Sequence, residues 1–194
     1  MKLLYIHGYN GDPYGQSYQN LKNACVDKHE LYTIDYNPEF PKQAIKDIFK
    51  FIKNNQIDCV IGSSLGGFLT MKLYGVSRIV VNPCWNPAVE LPKIGYEGDV
   101  LVYEELLDGM TETLDFEERH LCTGIFSNED ELLGQKYVDV FKKYFKRAYD
   151  IFGGHRINPS MAKMIVDYVL PLHIVATSDF SYKLKEIDNA PWLD

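Results

Sequence analysis

Short apolar segments alternate with amphipathic segments along most of this 194-residue chain, and this alternation limits the available folds more than any other feature. The apolar segments are rich in Ile, Val, Tyr and Phe, a composition that predicts β-strands. They cover residues 2–6, 29–35, 58–62, 78–82, 121–127 and 147–153. Because most of them are apolar almost throughout, we expect parallel strands that are covered on both faces.

The segments between the strands show helical periodicity. In 40–55 and 131–145 the apolar residues recur on one face, and 159–170 begins with a proline suited to a first helical turn. Segments 15–27 and 65–74 are weaker helix predictions. Strand–helix alternation of this kind predicts an α/β fold of three layers, with a mostly parallel open sheet and helices on both faces.

Two regions depart from the alternation. Residues 83–118 carry three prolines, many acidic residues and little strand pattern, so we expect an insertion that forms a minimal lid over one edge of the sheet. Residues 172–194 show no clear period and form an unassigned C-terminal tail. With no repeat and no linker, the chain is expected to be a single domain over residues 1–194.

Composition excludes several classes of partner. A net charge of −7 offers little attraction to phosphates, so neither nucleic acid nor an anionic membrane is expected as a partner. No segment reaches the roughly 18 apolar residues of a membrane span, which favours a cytoplasmic protein. The four cysteines lack a CxxC spacing, so neither a disulfide framework nor a metal site is expected. Assembly into a homo-oligomer stays open.

The segment DCVIGSSLGGFL at 58–69 places Ser64 at the centre of a G-x-S-x-G pattern. A predicted strand precedes it and a predicted helix follows it, which is the context of a nucleophile elbow. The glycines two positions before and after Ser64 are then needed because a Cβ at either position would strike a neighbouring element. The pattern predicts a catalytic serine, and a plain strand–helix turn is the alternative.

A serine hydroxyl needs a base to become a nucleophile. His155 follows the last predicted strand in FGGHRI, and loops after parallel strands open on the same sheet edge as Ser64. His155 is therefore the predicted base. His7 also follows a strand, but it is expected to brace its loop instead of taking part in chemistry.

The acid that orients the base should follow the strand before His155, where the chain reads GIFSNEDELLG. Asp130 lies at the mouth of that loop and is the preferred candidate, with Glu129 as the alternative. A carboxylate there would hold the imidazole tautomer. The order Ser64, Asp130, His155 along the chain is the order of an α/β-hydrolase triad.

An oxyanion hole should complete the site. One donor is expected to be the backbone N–H of Leu65, the residue after the nucleophile. The second should come from HGYNG, the loop after the first strand, where the N–H of Tyr9 is the candidate. Such a site needs no cofactor and no metal.

The motifs YIHGYNG at 5–11, IGSSLGGFLT at 61–70, DELL at 130–133 and GGHR at 153–156 together resemble the YqiA-type (UPF0227-like) group of small bacterial α/β-hydrolases. NPCW at 82–85 resembles the Asn-Pro segment of that group. The resemblance covers residues 1–170. It implies an α/β-hydrolase fold, esterase or thioesterase activity, and the roles of nucleophile, acid and base for Ser64, Asp130 and His155.

The expected function is therefore a serine hydrolase that cleaves a small-molecule carboxylic ester or thioester through an acyl-enzyme on Ser64. An amidase or peptidase with the same triad is one alternative, and a catalytically silent binding protein of this fold is another. Three apolar residues of the insertion, Trp85, Leu91 and Tyr96, are expected to line the acyl pocket.

Overall fold

The computed structural model describes residues 1–178, and within them six strands form one sheet. The strands are β1 (Lys2–Ile6), β2 (Glu30–Thr33), β3 (Cys59–Ser63), β4 (Ser77–Val81), β5 (Cys122–Ser127) and β6 (Arg147–Ile151). Their order across the sheet is β2-β1-β3-β4-β5-β6, and every neighbouring pair is parallel. All six predicted strands are confirmed, with ends that differ by one or two residues.

Helices connect the strands. They are α1 (Gln16–Cys25), α2 (Pro41–Asn55), α3 (Leu65–Met71), α4 (Pro87–Glu90), α5 (Leu101–Thr113), α6 (Phe116–His120), α7 (Val138–Tyr144) and α8 (Pro159–Thr177). A 3₁₀ turn, Leu91–Ile94, follows α4 directly. The segment predicted as an insertion, 83–118, thus holds α4, α5 and most of α6, between β4 and β5.

The sheet is covered on both faces, as the apolar runs of its strands predict. Successive residues of β1 point to opposite faces: Leu3 packs in a core with α1 and α8, and Leu4 packs in a second core with α2, α3, α5 and α7. Both side chains are fully buried. The architecture is therefore three layers, helices on a parallel sheet on helices.

Helix α7 begins seven residues later than the predicted segment 131–145, at Val138. The residues before it form turns, and two local features explain this. The Asp130 carboxylate accepts hydrogen bonds from the backbone N–H groups of Leu132 and Leu133, and Gly134 adopts a left-handed φ of +56°. Both features oppose regular helix and leave Asp130 in a loop.

Helix α8 extends to Thr177, beyond its predicted end at residue 170, so residues 172–177 of the predicted tail are helical. A π-helical segment, Ile165–Val169, ends two residues before Pro171. In regular α-helix the proline ring would meet the carbonyl of the residue four positions earlier, and the wider π turn relieves that contact. The remainder of the predicted tail, 179–194, lies outside the described residues.

By length and composition alone, α8 could cross a membrane, which corrects the expectation that no segment could. This is weak evidence for a span, because a core helix meets the same criterion. In the structure the inner face of α8 packs on the sheet, with Ile165, Val166 and Val169 buried.

All four cysteines are free and buried: Cys25, Cys59, Cys84 and Cys122. Burial raises the pKa of the Cys59, Cys84 and Cys122 thiols to about 12 and that of Cys25 to about 11. These thiols pack as small apolar side chains and stay protonated at neutral pH.

The strand order positions the functional groups. The connection after β1 leads to β2, which lies at one edge of the sheet. The chain then crosses back to β3 on the opposite side of β1, and β4, β5 and β6 follow in order toward the other edge. The connections after β1 and β3 therefore diverge, which leaves a crevice at the carboxyl ends of these two strands. His7 follows β1 and Ser64 follows β3, so both lie at this crevice.

Candidate active site

Ser64 alone forms the bend between β3 and α3. Its backbone has φ of 53° and ψ of −120°, a conformation that a residue with a side chain rarely adopts and that costs roughly 1–3 kcal/mol. Hydrogen bonds with the neighbouring segment hold the bend: the Ser64 N–H donates to the Val81 carbonyl at 3.1 Å, and the Ser64 carbonyl accepts from the Cys84 N–H at 3.0 Å.

The two glycines of the G-x-S-x-G pattern lie where no side chain fits. A Cβ at Gly66 would lie 2.3 Å from the carbonyl oxygens of Ile6 and His7, and a Cβ at Gly62 would lie 2.2 Å from Thr70 Oγ1. The predicted steric reason for these glycines is therefore confirmed. The bend brings the end of β1 against the start of α3.

His155 and Asp130 meet at the end of β5 and β6. His155 Nδ1 lies 2.9 Å from Asp130 Oδ1, and both residues are buried. Gly153, with a φ of +155°, lets the chain turn inward before His155. The predicted base and the preferred acid are thus in direct hydrogen-bond contact, 25 residues apart in the chain.

The hydrogen bonds of Asp130 fix the tautomer of His155. Burial alone would raise the pKa of Asp130, but the hydrogen bonds from His155 and from the backbone N–H groups of Leu133 and Leu132 outweigh it and lower the pKa. An ionised carboxylate only accepts hydrogen bonds, so His155 Nδ1 carries the proton and donates it. His155 Nε2 is then the unprotonated nitrogen that can act as a base.

The alternative acid, Glu129, does not contact the imidazole. It is exposed, and its backbone N–H donates to the Gly153 carbonyl at 3.0 Å. Glu131, which the sequence pattern did not single out, does bind the base: its Oε2 accepts the His155 backbone N–H at 2.9 Å. Asp130 therefore binds the imidazole of His155, Glu131 binds the backbone of His155, and the Glu129 side chain does neither.

Asn82 is the functional-site residue that sequence reasoning missed. It follows β4 and is 2% exposed, with a φ of +44°. Its Nδ2 donates to the carbonyls of Gly154 and His155, each at 3.1 Å, and to Ser127 Oγ at 3.0 Å, while its Oδ1 accepts the Ser127 N–H at 2.7 Å. The only available signal was its place in the NPCW segment.

Ser64 and His155 line the same cleft, whose volume is about 310 Å³. The loop after β1, the first turn of α1 and the side chains of Ile94 and Leu132 complete its walls. No hydrogen bond joins Ser64 Oγ to the imidazole among the residues that the structure describes. Such bonds are often long without substrate and shorten only when substrate is bound.

The two expected oxyanion donors, the backbone N–H groups of Leu65 and Tyr9, lie directly after Ser64 and in the loop after β1. Leu65 is the first residue of α3, so its N–H has no carbonyl partner within the helix. Tyr9 lines the cleft, and its N–H donates to no protein acceptor within residues 1–178. A Cβ at Gly8 would lie 2.9 Å from Ser64 Cβ, so the loop that carries Tyr9 passes directly against the serine.

His7 braces this loop, as the sequence led us to expect. Its Nδ1 lies 2.8 Å from the Gly8 carbonyl and its Nε2 lies 3.3 Å from Asp35 Oδ1. The ring stacks on Tyr36 at 4.7 Å between centroids, and the Tyr36 hydroxyl donates to the His7 carbonyl. These contacts hold the loop over Ser64.

A model of the uncharacterised protein family UPF0227 matches residues 2–157, which include Ser64, Asp130 and His155. The chain belongs to the UPF0227 family. The resemblance expected from its motifs is therefore confirmed.

Solved structures show that this UPF0227 protein has the α/β-hydrolase fold. The esterase domain of a Rhodothermus marinus protein superposes with a TM-score of 0.66 and 13% identity, over 89% of this chain and 85% of that one. Est1E from Butyrivibrio proteoclasticus gives 0.65 and 12%, over 90% and 88%. Mouse alpha/beta hydrolase domain-containing protein 10 gives 0.62 and 14%, over 88% of each chain.

The structure corrects one expectation about the substrate pocket of this UPF0227 protein. Trp85, Leu91 and Tyr96 are buried and do not line the cleft. Trp85 packs on the aromatic rings of α7 and its C-cap, including Tyr144 at 5.3 Å, and Tyr96 packs edge-on to Tyr9 and Tyr103. These residues pack the 83–118 segment against the core, as apolar and aromatic side chains of an insertion commonly do.

Over residues 1–178, no group of three or more His, Cys, Asp or Glu side chains is arranged to hold a metal ion.

Proposed function

We propose that this protein is a serine hydrolase that cleaves a carboxylic ester or thioester through an acyl-enzyme on Ser64. The observation that carries the proposal is the strained bend that presents Ser64 to the cleft that His155 lines, with Asp130 bonded to the imidazole. Strain of this size persists only where the surrounding structure holds it, and it concentrates at functional sites.

In the first half of the proposed reaction, His155 Nε2 takes the proton of Ser64 Oγ as the oxygen attacks the substrate carbonyl. The tetrahedral intermediate collapses when its bond to the leaving group breaks, and the imidazolium returns that proton to the departing alcohol or thiol. In the second half, His155 takes a proton from water, the hydroxide attacks the acyl-enzyme, and Ser64 is released with its proton restored.

Asp130 supports both halves of this reaction. It accepts the Nδ1 proton of His155 and stays ionised, so it stabilises the imidazolium without taking the proton itself. The backbone N–H groups of Leu65 and Tyr9 are the proposed donors to the oxyanion. Each such donor contributes roughly 3–4 kcal/mol to lowering the barrier in comparable sites.

Ester substrates are favoured over amides because the structural neighbours include an esterase domain from Rhodothermus marinus and a putative lipase from Acinetobacter baumannii. The same groups can serve acyl transfer from an amide, so substrate comparison must decide between the two bonds. A small-molecule substrate fits a cleft of about 310 Å³.

A fluorophosphonate probe tests the proposed nucleophile directly. Wild type should form a covalent adduct, located at Ser64 by peptide mass spectrometry, and Ser64→Ala should not. Ser63→Ala is the matched control, because it removes the neighbouring hydroxyl and should keep the adduct. An unlabelled wild type would instead support a binding protein of this fold that lacks turnover.

Turnover of p-nitrophenyl esters and of the matching p-nitroanilides then separates esterase from amidase. We expect the esters to be hydrolysed with a kcat/KM well above that of the anilides, and Ser64→Ala to abolish both activities. Faster cleavage of the anilides would overturn the ester assignment while leaving Ser64 as nucleophile.

A further inference from the structure

The residue that follows the proposed base is an arginine, and the backbone on both sides of it is fixed. The His155 carbonyl accepts a hydrogen bond from Asn82 Nδ2 at 3.1 Å, and the Ile157 carbonyl accepts one from Asn20 Nδ2 at 2.9 Å. Ile157 itself is 1% exposed. The backbone of Arg156 is therefore held in place, and only its exposed side chain is free to move.

Arg156 lines the cleft that also contains Ser64 and His155. Its charge also reaches the cleft floor. Burial raises the pKa of Tyr5, and the positive charge of Arg156 is among the influences that oppose this rise. The Tyr5 hydroxyl lies 2.8 Å from Ser63 Oγ, next to the proposed nucleophile in the chain. A positive charge is thus carried next to the reacting groups by a residue whose backbone is fixed.

No carboxylate of the described chain neutralises this cation. Arg156 forms no ion pair within residues 1–178, and Asp12 is the one acidic residue that lines the cleft. Asp12 is exposed, and its Oδ1 accepts the Tyr14 backbone N–H at 2.8 Å as part of a turn. Within residues 1–178 no carboxylate therefore pairs with the guanidinium, and its hydrogen-bond donors are left for a ligand.

We propose that Arg156 makes the enzyme select esters that carry a second, anionic group, which the guanidinium binds while Ser64 attacks the ester carbonyl. The planar guanidinium offers paired N–H donors that match the two oxygens of a carboxylate or phosphate. The surrounding Asn10, Gln16 and Ser17 are polar, which suits a polar substrate better than a long alkyl chain. This inference rests on the proposed hydrolase function.

Paired substrates test the selection on either side of the ester bond. For an anion on the acyl side, p-nitrophenyl hydrogen succinate is compared with p-nitrophenyl butyrate. For an anion on the leaving group, 4-acetoxybenzoate is compared with 4-acetoxybenzamide. In at least one pair we expect wild type to prefer the anionic ester, and Arg156→Gln to lower that preference about tenfold, mainly through KM.

Two further variants sharpen the result. Arg156→Lys keeps the charge but loses the planar pair of donors, so its preference should fall between those of wild type and Arg156→Gln. Lys50→Gln removes one positive charge from the exposed face of α2, outside the cleft, and should keep the wild-type preference. Raising the salt concentration to 0.5 M should lower the wild-type preference and leave that of Arg156→Gln nearly constant.

The outcomes separate this inference from the proposed function. If wild type hydrolyses the neutral esters but shows the same anionic-to-neutral ratio as Arg156→Gln in both pairs, the role of Arg156 is wrong and the hydrolase stands. If wild type hydrolyses none of the four esters and resists fluorophosphonate, the proposed function itself fails. Thermal melting of each variant confirms that the comparison is made on folded protein.

Discussion

Asn82 Nδ2 donates a hydrogen bond to the backbone carbonyl of His155 at 3.1 Å, although the two residues lie 73 positions apart. The same amide group binds Ser127 Oγ at the end of β5, three residues before Asp130. The buried side chain of Asn82 thus connects the loop that carries His155 to β5, the strand that precedes Asp130. We therefore expect Asn82 to hold His155 in position relative to Asp130.

Replacing Asn82 should therefore impair both stability and catalysis. Asn82→Ala leaves the half-buried carbonyl of Gly154 and the buried carbonyl of His155 without this partner, so we expect a loss of roughly 2–4 kcal/mol in the free energy of unfolding. We also expect a fall of about 10–100-fold in kcat, because the imidazole is no longer held in position. Urea unfolding and ester hydrolysis measure the two effects.

Asn82→Gly separates the backbone contribution from the hydrogen bonds. Glycine tolerates the φ of +44° at this position, so this variant should be about 1 kcal/mol more stable than Asn82→Ala while its kcat falls equally. If kcat recovered together with stability, Asn82 would have no role in positioning His155.

The proposed acid is tested by a neutral replacement of the same shape. Asp130→Asn removes the charge that stabilises the imidazolium and disturbs the tautomer of His155, so kcat should fall roughly 10³–10⁴-fold. Glu129→Gln is the matched control, because Glu129 is exposed and does not contact the imidazole. A larger loss in Glu129→Gln than in Asp130→Asn would reverse the assignment.

The burial of His173 leads us to expect that the folded protein loses stability in acid. His173 is fully buried, with its Nε2 2.6 Å from Ser77 Oγ and its Nδ1 2.7 Å from Thr123 Oγ1. Burial, assisted by the charges of Arg147 and Arg78, lowers the pKa of His173 from 6.5 to about 3. Below pH 6.5 the unfolded chain binds a proton that the folded protein does not. The free energy of unfolding should therefore fall by up to about 1.4 kcal/mol per pH unit from this group, down to its folded pKa.

Unfolding in urea at pH 7.5 and pH 5.0 checks this contribution. His173→Gln should be less stable than wild type at pH 7.5 but should lose less stability on acidification. His120→Gln, at a half-buried position on α6, is the control for the loss of a histidine elsewhere in the fold. An equally steep acid loss in His173→Gln and wild type would show that other groups cause it.

A buried ion pair anchors the start of β4. Arg78 and Glu118 are almost completely inaccessible, their charged atoms lie 2.6 Å apart, and Glu118 Oε1 also accepts the Gly75 N–H at 2.8 Å. Glu118→Gln leaves the arginine charge buried without its counter-ion, so we expect a loss of roughly 3–5 kcal/mol in unfolding free energy. Asp167→Asn, at a surface ion pair, should cost far less. Similar losses in the two variants would contradict this account.

Much of the fold could be predicted from the sequence because its information is local. The runs in β1, β3 and β4 are apolar almost throughout, since both faces of each strand are covered by helices. The α2 segment has one apolar face, and its α-helix, Pro41–Asn55, matches the prediction to within one residue. Ser64 was found in the same way, from a local G-x-S-x-G pattern between a predicted strand and a predicted helix, although the contact that requires Gly66 is with the end of β1.

The features that escaped prediction depend on contacts distant in the chain. The partners of Asn82 come from β5 and from the loop after β6, and nothing near residue 82 indicates them. Trp85 was predicted to line the pocket because the residues near it in the sequence do not indicate the aromatic rings of α7 on which it packs. Asp130 was preferred over Glu129 from the sequence and does contact His155, but periodicity alone left both candidates open because it does not encode the direction of the loop.

The burial of the four native thiols makes this protein a convenient host for site-specific labelling. Maleimides and other alkylating reagents attack thiolates that are accessible, and these groups are neither ionised nor reachable in the folded state. A cysteine introduced at Leu132, which is 56% exposed on the cleft rim, would be the single reactive thiol of the folded protein. A fluorophore attached there would report the arrival and departure of ligands in real time.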